Sequence, residues 1–448
     1  MDSLEAIYYY GTLEEWFAIE RGGDIFNGSS KVKIYVRDGN SWLDTSTITS
    51  YAIPEGTTEI ADGTFAGFAS LSTITIPSSV TTIGTNAFSG CTGLTTITIP
   101  NSVTRIGEAA FYGCTSLTEI VVPDSVTTIS DSAFEGCTSL SKITLGSNVR
   151  NIGRNVYKNC PNLLHFYFNA SIDEWWNVDF SNYGDPYGEE FVDGRLLYTK
   201  KDGVYVLETD LVMPDGLTTI NSYLFEDFDQ FTSLTLNDDI IVIASWAFRN
   251  CDGLTELNLE YVQRIHQYAF SGCSSLVTVT IGEDMTSIWG GAFSNCSSLE
   301  TVNLNAIALQ DASGSGYAFS KSGSTVNGLT VNIGSLVTRI PKQLFGGLSA
   351  TDASNVRVIK IARSNIDLEI GNSAFAYCST ITQIYLSSRV RMIGDNAFTG
   401  CRTELYLDGE IDVYYDNTST YRAQYMIMGS GNVLTQTKFA IWHYNSTW

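Results

Sequence analysis

The side chains of this 448-residue chain that could do chemistry are three histidines, nine cysteines and 48 carboxylates, and their spacing decides whether they do. His165, His266 and His443 stand in no zinc-ligand or nucleophile pattern, so neither metal nor triad chemistry is expected of them. No two cysteines form a CxxC pair, which removes zinc ribbons and dithiol redox motifs. No glycine-rich phosphate loop follows a strand pattern, so nucleotide binding has no support. Asp179, Asp185, Glu189, Glu190 and Asp193 gather hard oxygen ligands of the kind calcium takes, but without EF-hand spacing, and a solvated acidic loop is the expectation. The chemistry-bearing residues therefore predict no enzyme, no metal site and no cofactor. With 25 basic against 48 acidic side chains, the net charge of -23 repels phosphate backbones and excludes nucleic acid as a partner. The apolar runs fall short of the roughly 18 residues a membrane helix needs.

The cysteines mark a period. Cys91, Cys114, Cys137 and Cys160 follow one another at 23 residues; Cys251, Cys273 and Cys296 follow at 22 and 23; Cys378 and Cys401 again at 23. Each sits three residues after an aromatic, from Phe88 to Phe398. Self-similarity at this period is the mark of a solenoid. One unit reads Leu94-x-x-Ile97-x-Ile99-Pro100, then Val103-x-x-Ile106-Gly107, then Ala110-Phe111-x-x-Cys114. Ile97 and Ile99 alternate with Thr96 and Thr98, which predicts a short strand with isoleucines inward and threonines outward. Pro100 lacks an amide proton and ends the ladder. The three-residue spacing of Phe111 and Cys114 predicts one turn of helix with both on the inward face. The fold class expected is thus an α/β repeat: a solenoid with a short parallel strand and a helical turn per repeat of about 23 residues. At the cysteine position other copies carry Phe68, Phe228 and Leu348, so the column is read as core and the thiols as free and buried. Ser322 replaces the cysteine after Phe319, which predicts a distorted copy.

The repeats come in two runs, each preceded by a related non-repeat cassette. Ile7 to Trp16 aligns without gaps to Phe166 to Trp175, and both segments carry a capping box, Thr12 with Glu15 and Ser171 with Glu174. Each continues into a hairpin-like stretch, from Tyr35 and from Tyr198. The expected division is a partial repeat and first cassette over 1–50, repeats over 51–165, a second cassette over 166–213, repeats over 214–402 and a β-rich cap over 403–448. In that cap Tyr414, Tyr415, Tyr421, Tyr425, Trp442, Tyr444 and Trp448 would cover the open end of the stack. Met1, Leu4, Ile7 and Tyr9 match the strand that leads into the second cassette, so the chain is expected to begin inside a repeat, as a fragment of a longer protein. Its first residues have neither the basic nor the apolar region of a secretory leader.

Binding is expected on the exposed sheet, where each strand turns two side chains outward. In the first run these include Thr96 and Thr98, Glu119, Lys142, His165 and Tyr167, a column that passes from threonine to charge to aromatic. In the second run they include Glu256, Asn258 and Tyr385.

The unit Pro-x-Ser-Val-Thr-x-Ile-Gly-x-x-Ala-Phe-x-Gly-Cys-x-x-Leu, as in residues 100–117, resembles the BspA-like leucine-rich repeat, over most of 51–165 and 214–402. The resemblance implies a secreted or surface-anchored protein of host-associated bacteria or protozoa that adheres to host matrix proteins or other cells. Its partner would be a host or microbial protein, met by the exposed sheet without catalysis. The alternatives are a carbohydrate-binding surface protein that uses the cassette aromatics, and a spacer that projects another domain.

Overall fold

The computed structural model describes residues 6–17, 19, 33–180, 194–311, 317–381, 383–387, 389–401 and 404–408. The chain divides into two compact units, Met1–Glu208 and Thr209–Trp448, each described by itself. Asp185 to Asp193 of the acidic stretch, the first residues of the chain and nearly all of the expected C-terminal cap, including every aromatic named for it, lie outside the described residues.

In the first unit the alternating isoleucine–threonine segments stack in parallel as expected. Glu119–Val121, Lys142–Leu145, His165–Phe168 and Leu196–Lys201 pair in register, and Val204–Leu207 closes the sheet antiparallel. Residues 96–98 join them through one parallel bridge, Thr98 to Val121. The Val-Thr-x-Ile segment forms a second strand that the sequence reading did not anticipate. Glu59–Ile60, Thr82–Ile83, Arg105–Ile106, Thr128–Ile129 and Asn151–Ile152 make a five-stranded parallel sheet. Their isoleucines are buried between the sides of the coil.

The expected helical turn is not a helix. Along Ala109 to Cys114 the amides alternate in direction: those of Ala109, Phe111 and Gly113 donate to Asp131, Ala133 and Glu135 of the next coil, at 2.8–2.9 Å. Those of Ala110, Tyr112 and Cys114 close three-residue turns on Gly107, Ala109 and Phe111. A helix would spend every interior amide on the fourth residue back and leave none for the neighbouring coil. The alternation requires positive φ twice per coil, as at Ala109 (51°) and Gly113 (67°), and glycine takes the second without steric cost. The inward side chains still lie three apart, which is why the spacing imitated a helix.

Inside, the aromatic column stacks ring on ring. Phe65, Phe88, Phe111 and Phe134 follow at 5.2–5.5 Å with nearly parallel planes, and Tyr157 continues at 6.4 Å. The cysteines are free and buried. Each thiol of this run donates to the carbonyl of the aromatic one coil back, as Cys114 Sγ does to Phe88 at 3.2 Å.

In the second unit Glu256–Leu259, Thr278–Ile281, Thr301–Leu304, Leu329–Ile333, Val356–Ile361, Gln383–Ser387 and Glu404–Asp408 form a seven-stranded parallel sheet, with a register shift at Leu329/Thr330. The phenylalanine column runs from Phe225 through Phe248, Phe270, Phe293, Phe319, Phe345 and Phe375 to Phe398. The copy at Ser322 is not distorted in this column. Ser322 is fully buried and its hydroxyl donates to the Phe293 carbonyl as a thiol would, while Phe319 stacks at 4.7 and 4.8 Å on its neighbours. Leu348, in contrast, is 78% exposed and does not fill the column. The insertion carries it to the surface, and Ser354 returns to donate to the Phe345 carbonyl at 2.6 Å.

The cassettes of the first unit are built alike. Ala6–Tyr9 pairs parallel with Lys33–Asp38, which turns back antiparallel into Ser41–Asp44; His165–Phe168, Leu196–Lys201 and Val204–Leu207 repeat the arrangement. The short helices Leu13–Phe17 and Ile172–Trp175 start with the expected capping boxes: the Thr12 amide donates to Glu15 at 2.8 Å, and the Ser171 amide to Glu174 at 3.1 Å. Trp16 packs with Ile34 and Val36 in the first cassette, and Trp175 is fully buried in the second.

Two predictions follow from the stack. Truncating Phe111 to alanine opens a cavity between two rings and is expected to cost about 3–5 kcal/mol, read from urea denaturation. Burial pushes the thiols up, that of Cys401 to about 12 and those of Cys137, Cys251, Cys296 and Cys378 well above the ordinary range. Ellman titration at pH 8 should therefore find almost no reactive thiol in the native chain and all nine in guanidinium. The stability these protonated thiols contribute is complete below the unfolded value of about 8.5 and is lost as pH rises toward the folded values, so the urea midpoint should fall between pH 8 and 10.

Candidate functional site

The outward column of the first unit converges where the repeats run into the second cassette. Parallel register sets Glu119, Lys142 and His165 side by side, and Val121, Thr144, Tyr167 and Tyr198 side by side two residues on. Lys142 Nζ lies 3.6 Å from Glu119 Oε2 and 5.1 Å from the centre of the Tyr167 ring. Tyr167 stacks on Tyr198 at 4.6 Å, and Tyr205, from the returning hairpin strand, meets Tyr167 edge-on at 5.0 Å. The His165 ring lies 6.0 Å from that of Tyr198, and its Nδ1 is buried with no hydrogen-bond partner among the described residues.

A polar network fixes the hairpin beside this cluster. Asp124 accepts from the Ser147 amide and from Asn169 Nδ2, both at 2.7 Å, and Asn169 Oδ1 lies 3.3 Å from the Tyr205 hydroxyl. Burial raises the Asp124 carboxyl, but the Ser147 and Asn169 hydrogen bonds and the charge of Lys200 outweigh it and hold the group below its usual range. Thr199 donates to Glu208 across the hairpin. Thr96 and Thr98 stand exposed on the preceding coil, next to Val121.

The second-run residues are not part of that cluster. Glu256 and Asn258 line a groove of about 570 Å³ with Glu260, Tyr261, Thr278, Thr280, Glu283 and Asp284. Tyr385 lies on Gln383–Ser387, paired with Lys360 and Tyr406 and several strands along the same sheet; its side chain is outside the described set. Among the described residues no group of three or more His, Cys, Asp or Glu is gathered to hold a metal ion, and no helix is long and apolar enough to cross a membrane.

The sequence reading passed over a second aromatic array, on the turn side of the second unit. Tyr223, Trp246 and Tyr268 stack at 5.2 and 5.6 Å, all with φ near +60°, and His266 stacks on Trp289 at 4.3 Å. Desolvation and the nearby Arg264 lower the His266 pKa. The corresponding places in the first unit hold Asn86, Ala109 and Ser132, and Gly84, Gly107 and Ser130. Bulky residues where the repeat carries small ones were the available signal.

Comparison with known proteins places this architecture. No curated protein matches the sequence. Among solved structures, a leucine-rich repeat protein from Bacteroides ovatus is 20% identical with a TM-score of 0.54, covering 86% of this chain and 88% of that one. A leucine rich cell surface protein from Faecalibacterium prausnitzii is 21% identical with a TM-score of 0.34, covering 69% and 84%. The pneumococcal vaccine antigen PcpA is 17% identical with a TM-score of 0.46, covering 84% and 97%. The first shares the fold. The family described as BspA type leucine rich repeat region matches residues 39–182, 207–325 and 315–407, in six copies. Stacked coils with a buried aromatic–cysteine column, matched by that family over most of their length, show that the chain belongs to the BspA-type leucine-rich repeat family.

Proposed function

We propose that this chain is a non-catalytic module, displayed at a cell surface or secreted, that binds a host or microbial protein through the outward face of its parallel sheet. The observation that carries the reading is the cluster of Lys142, His165, Tyr167, Tyr198 and Tyr205, held on a rigid stack rather than on loops. Tyrosine dominates protein-binding surfaces because a large, stiff, amphipathic ring adds contact area at small entropic cost. The flanking Glu119–Lys142 pair adds little affinity at a solvated surface and acts on orientation and association rate. Membership of the repeat family supports the surface placement.

The test is binding of the purified chain to a panel of purified matrix and cell-surface proteins by interferometry, beside a glycan array. The expected result is saturable binding to a protein that falls at least tenfold in Tyr167→Ala and changes its salt dependence in Lys142→Glu. Robust glycan binding with no protein bound, or protein binding indifferent to both substitutions, would overturn the reading.

A further inference from the structure

The insertion over 348–355 walls a cleft where the turns of the second unit lead into its sheet. The cleft holds about 390 Å³, a size that small-molecule sites have, and it spans successive coils at Asn295, Ser324, Asn355 and Tyr377. The wall is fixed to the coil before it. Ser349 Oγ lies 2.8 Å from Asp352 Oδ2, and the Lys321 amide donates to the Asp352 carbonyl at 3.2 Å. The Asn355 amide donates to the Ser322 carbonyl at 2.8 Å, and its Nδ2 to the Gly323 carbonyl at 2.7 Å.

The backbone marks the same place. Two positions after the column aromatic most described coils turn left-handed, and Gly90, Gly113, Gly136, Gly272 and Gly400 do so at φ of 67–79°. Asparagine takes this conformation with less strain than other side chains, as at Asn250 and Asn295. Lys321 and Tyr377 take it at 59° and 62°, where a bulky side chain strains the backbone. Asn295, Lys321 and Tyr377 all line the cleft. Strain kept where the repeat otherwise carries glycine points to a use for the side chains that cause it.

The lining selects the ligand's chemistry. Lys321 is its charged side chain, and Asp352 Oδ1 lies 3.9 Å from the Lys321 Nζ, so neither an anion nor a cation meets an uncompensated charge. Besides the Tyr377 ring the apolar side chains are those of Ala350 and Ala353, so the apolar side chains of a peptide would bury little area. The rest is neutral and polar. Among the described residues the side chains of Asn295, Ser324 and Ser379 and the Tyr377 hydroxyl have no hydrogen-bond partner. Amides and hydroxyls donate and accept alike, as sugar hydroxyls do. Gly400 of the following coil lies against the Tyr377 ring, where a Cβ would come within 2.6 Å of Cδ1, while the other lining residues belong to earlier coils. The ring is thus braced on one side and, 37% exposed, offers the other to the C–H face of a pyranose.

We propose that this cleft is a binding site for a short neutral oligosaccharide, stacked on Tyr377 and hydrogen-bonded by Asn295, Ser324 and Ser379. It is built from residues of the second unit alone and does not depend on what the first unit binds.

The experiment is calorimetric titration of the full chain with maltotriose, cellotriose, mannotriose and triacetylchitotriose as neutral probes, beside sialyllactose, trilysine and trialanine as anionic, cationic and peptide probes. At least one neutral trisaccharide is expected to bind saturably at one site per chain. Tyr377→Gly and Asn295→Gly, which install the residue the regular coils carry, should each weaken it roughly tenfold or more, the scale of an anchoring contact. Ser324→Ala, which removes one exposed hydroxyl, should weaken it in the same direction, and Tyr167→Ala should leave it unchanged. The melting temperature serves as the control for folding. No neutral trisaccharide bound, a charged probe or trialanine bound in its place, or sugar binding that none of the cleft substitutions weakens would overturn the assignment. A chain that binds a matrix protein and no sugar loses this inference and keeps the protein-binding reading.

Discussion

A coil in a solenoid shares its edges with the coils before and after it, and every backbone amide aimed along the stack must find a carbonyl there. On the strand sides the parallel ladder meets this demand at a spacing of about 4.8 Å. On the turn side the chain meets it by sending alternate amides forward, as Ala109, Phe111 and Gly113 do. The rest of the interior follows. Phenylalanines held one coil apart are brought into parallel stacks with centroids 5.2 and 5.5 Å apart, within the range aromatic pairs favour. The residue three places on lies against the carbonyl one coil back, and a thiol there can donate to it without the cost of burying a charge, while Phe68 and Phe228, in the first coil of each column, fill the place as plain hydrophobes.

That constraint explains what the sequence disclosed and what it hid. The cysteine period exposed the coil because each coil repeats the same buried donor, and the strand was visible because Thr96-Ile97-Thr98-Ile99 alternates. The turn was misread because three-residue turns and a helix place Phe111 and Cys114 on one side alike; only the direction of the amides separates them, and no side chain reports it. The strand at Arg105–Ile106 escaped notice because two residues are too few to show a period. Ser322 fits because hydroxyl and thiol are interchangeable as donors at that point, whereas Leu348, at the same spacing, is carried out of the column by the insertion that follows it.

The candidate surface was legible in part for the same reason. Glu119, Lys142, His165 and Tyr167 occupy fixed places in the repeat, so alternation alone put them on one face. Tyr198 and Tyr205 reach that face through a hairpin some thirty residues further along, and the aromatic array at Trp246 and Trp289 sits where the repeat has no outward strand. Neither position follows from the period of the repeat.

The cassettes differ from the repeats in one respect that matters for binding. Repeat strands of the first unit run two to four residues, enough for one or two outward side chains, while Lys33–Asp38 and Leu196–Lys201 run six. The longer strand places an aromatic and a cation two residues apart on the same face, Tyr35 with Arg37 and Tyr198 with Lys200. The hairpin return then brings a third ring opposite the cation. A first-unit coil of three or four strand residues has no room for this arrangement. In the first unit the interruption of the repeat thus supplies the strand length on which each dense aromatic cluster is mounted.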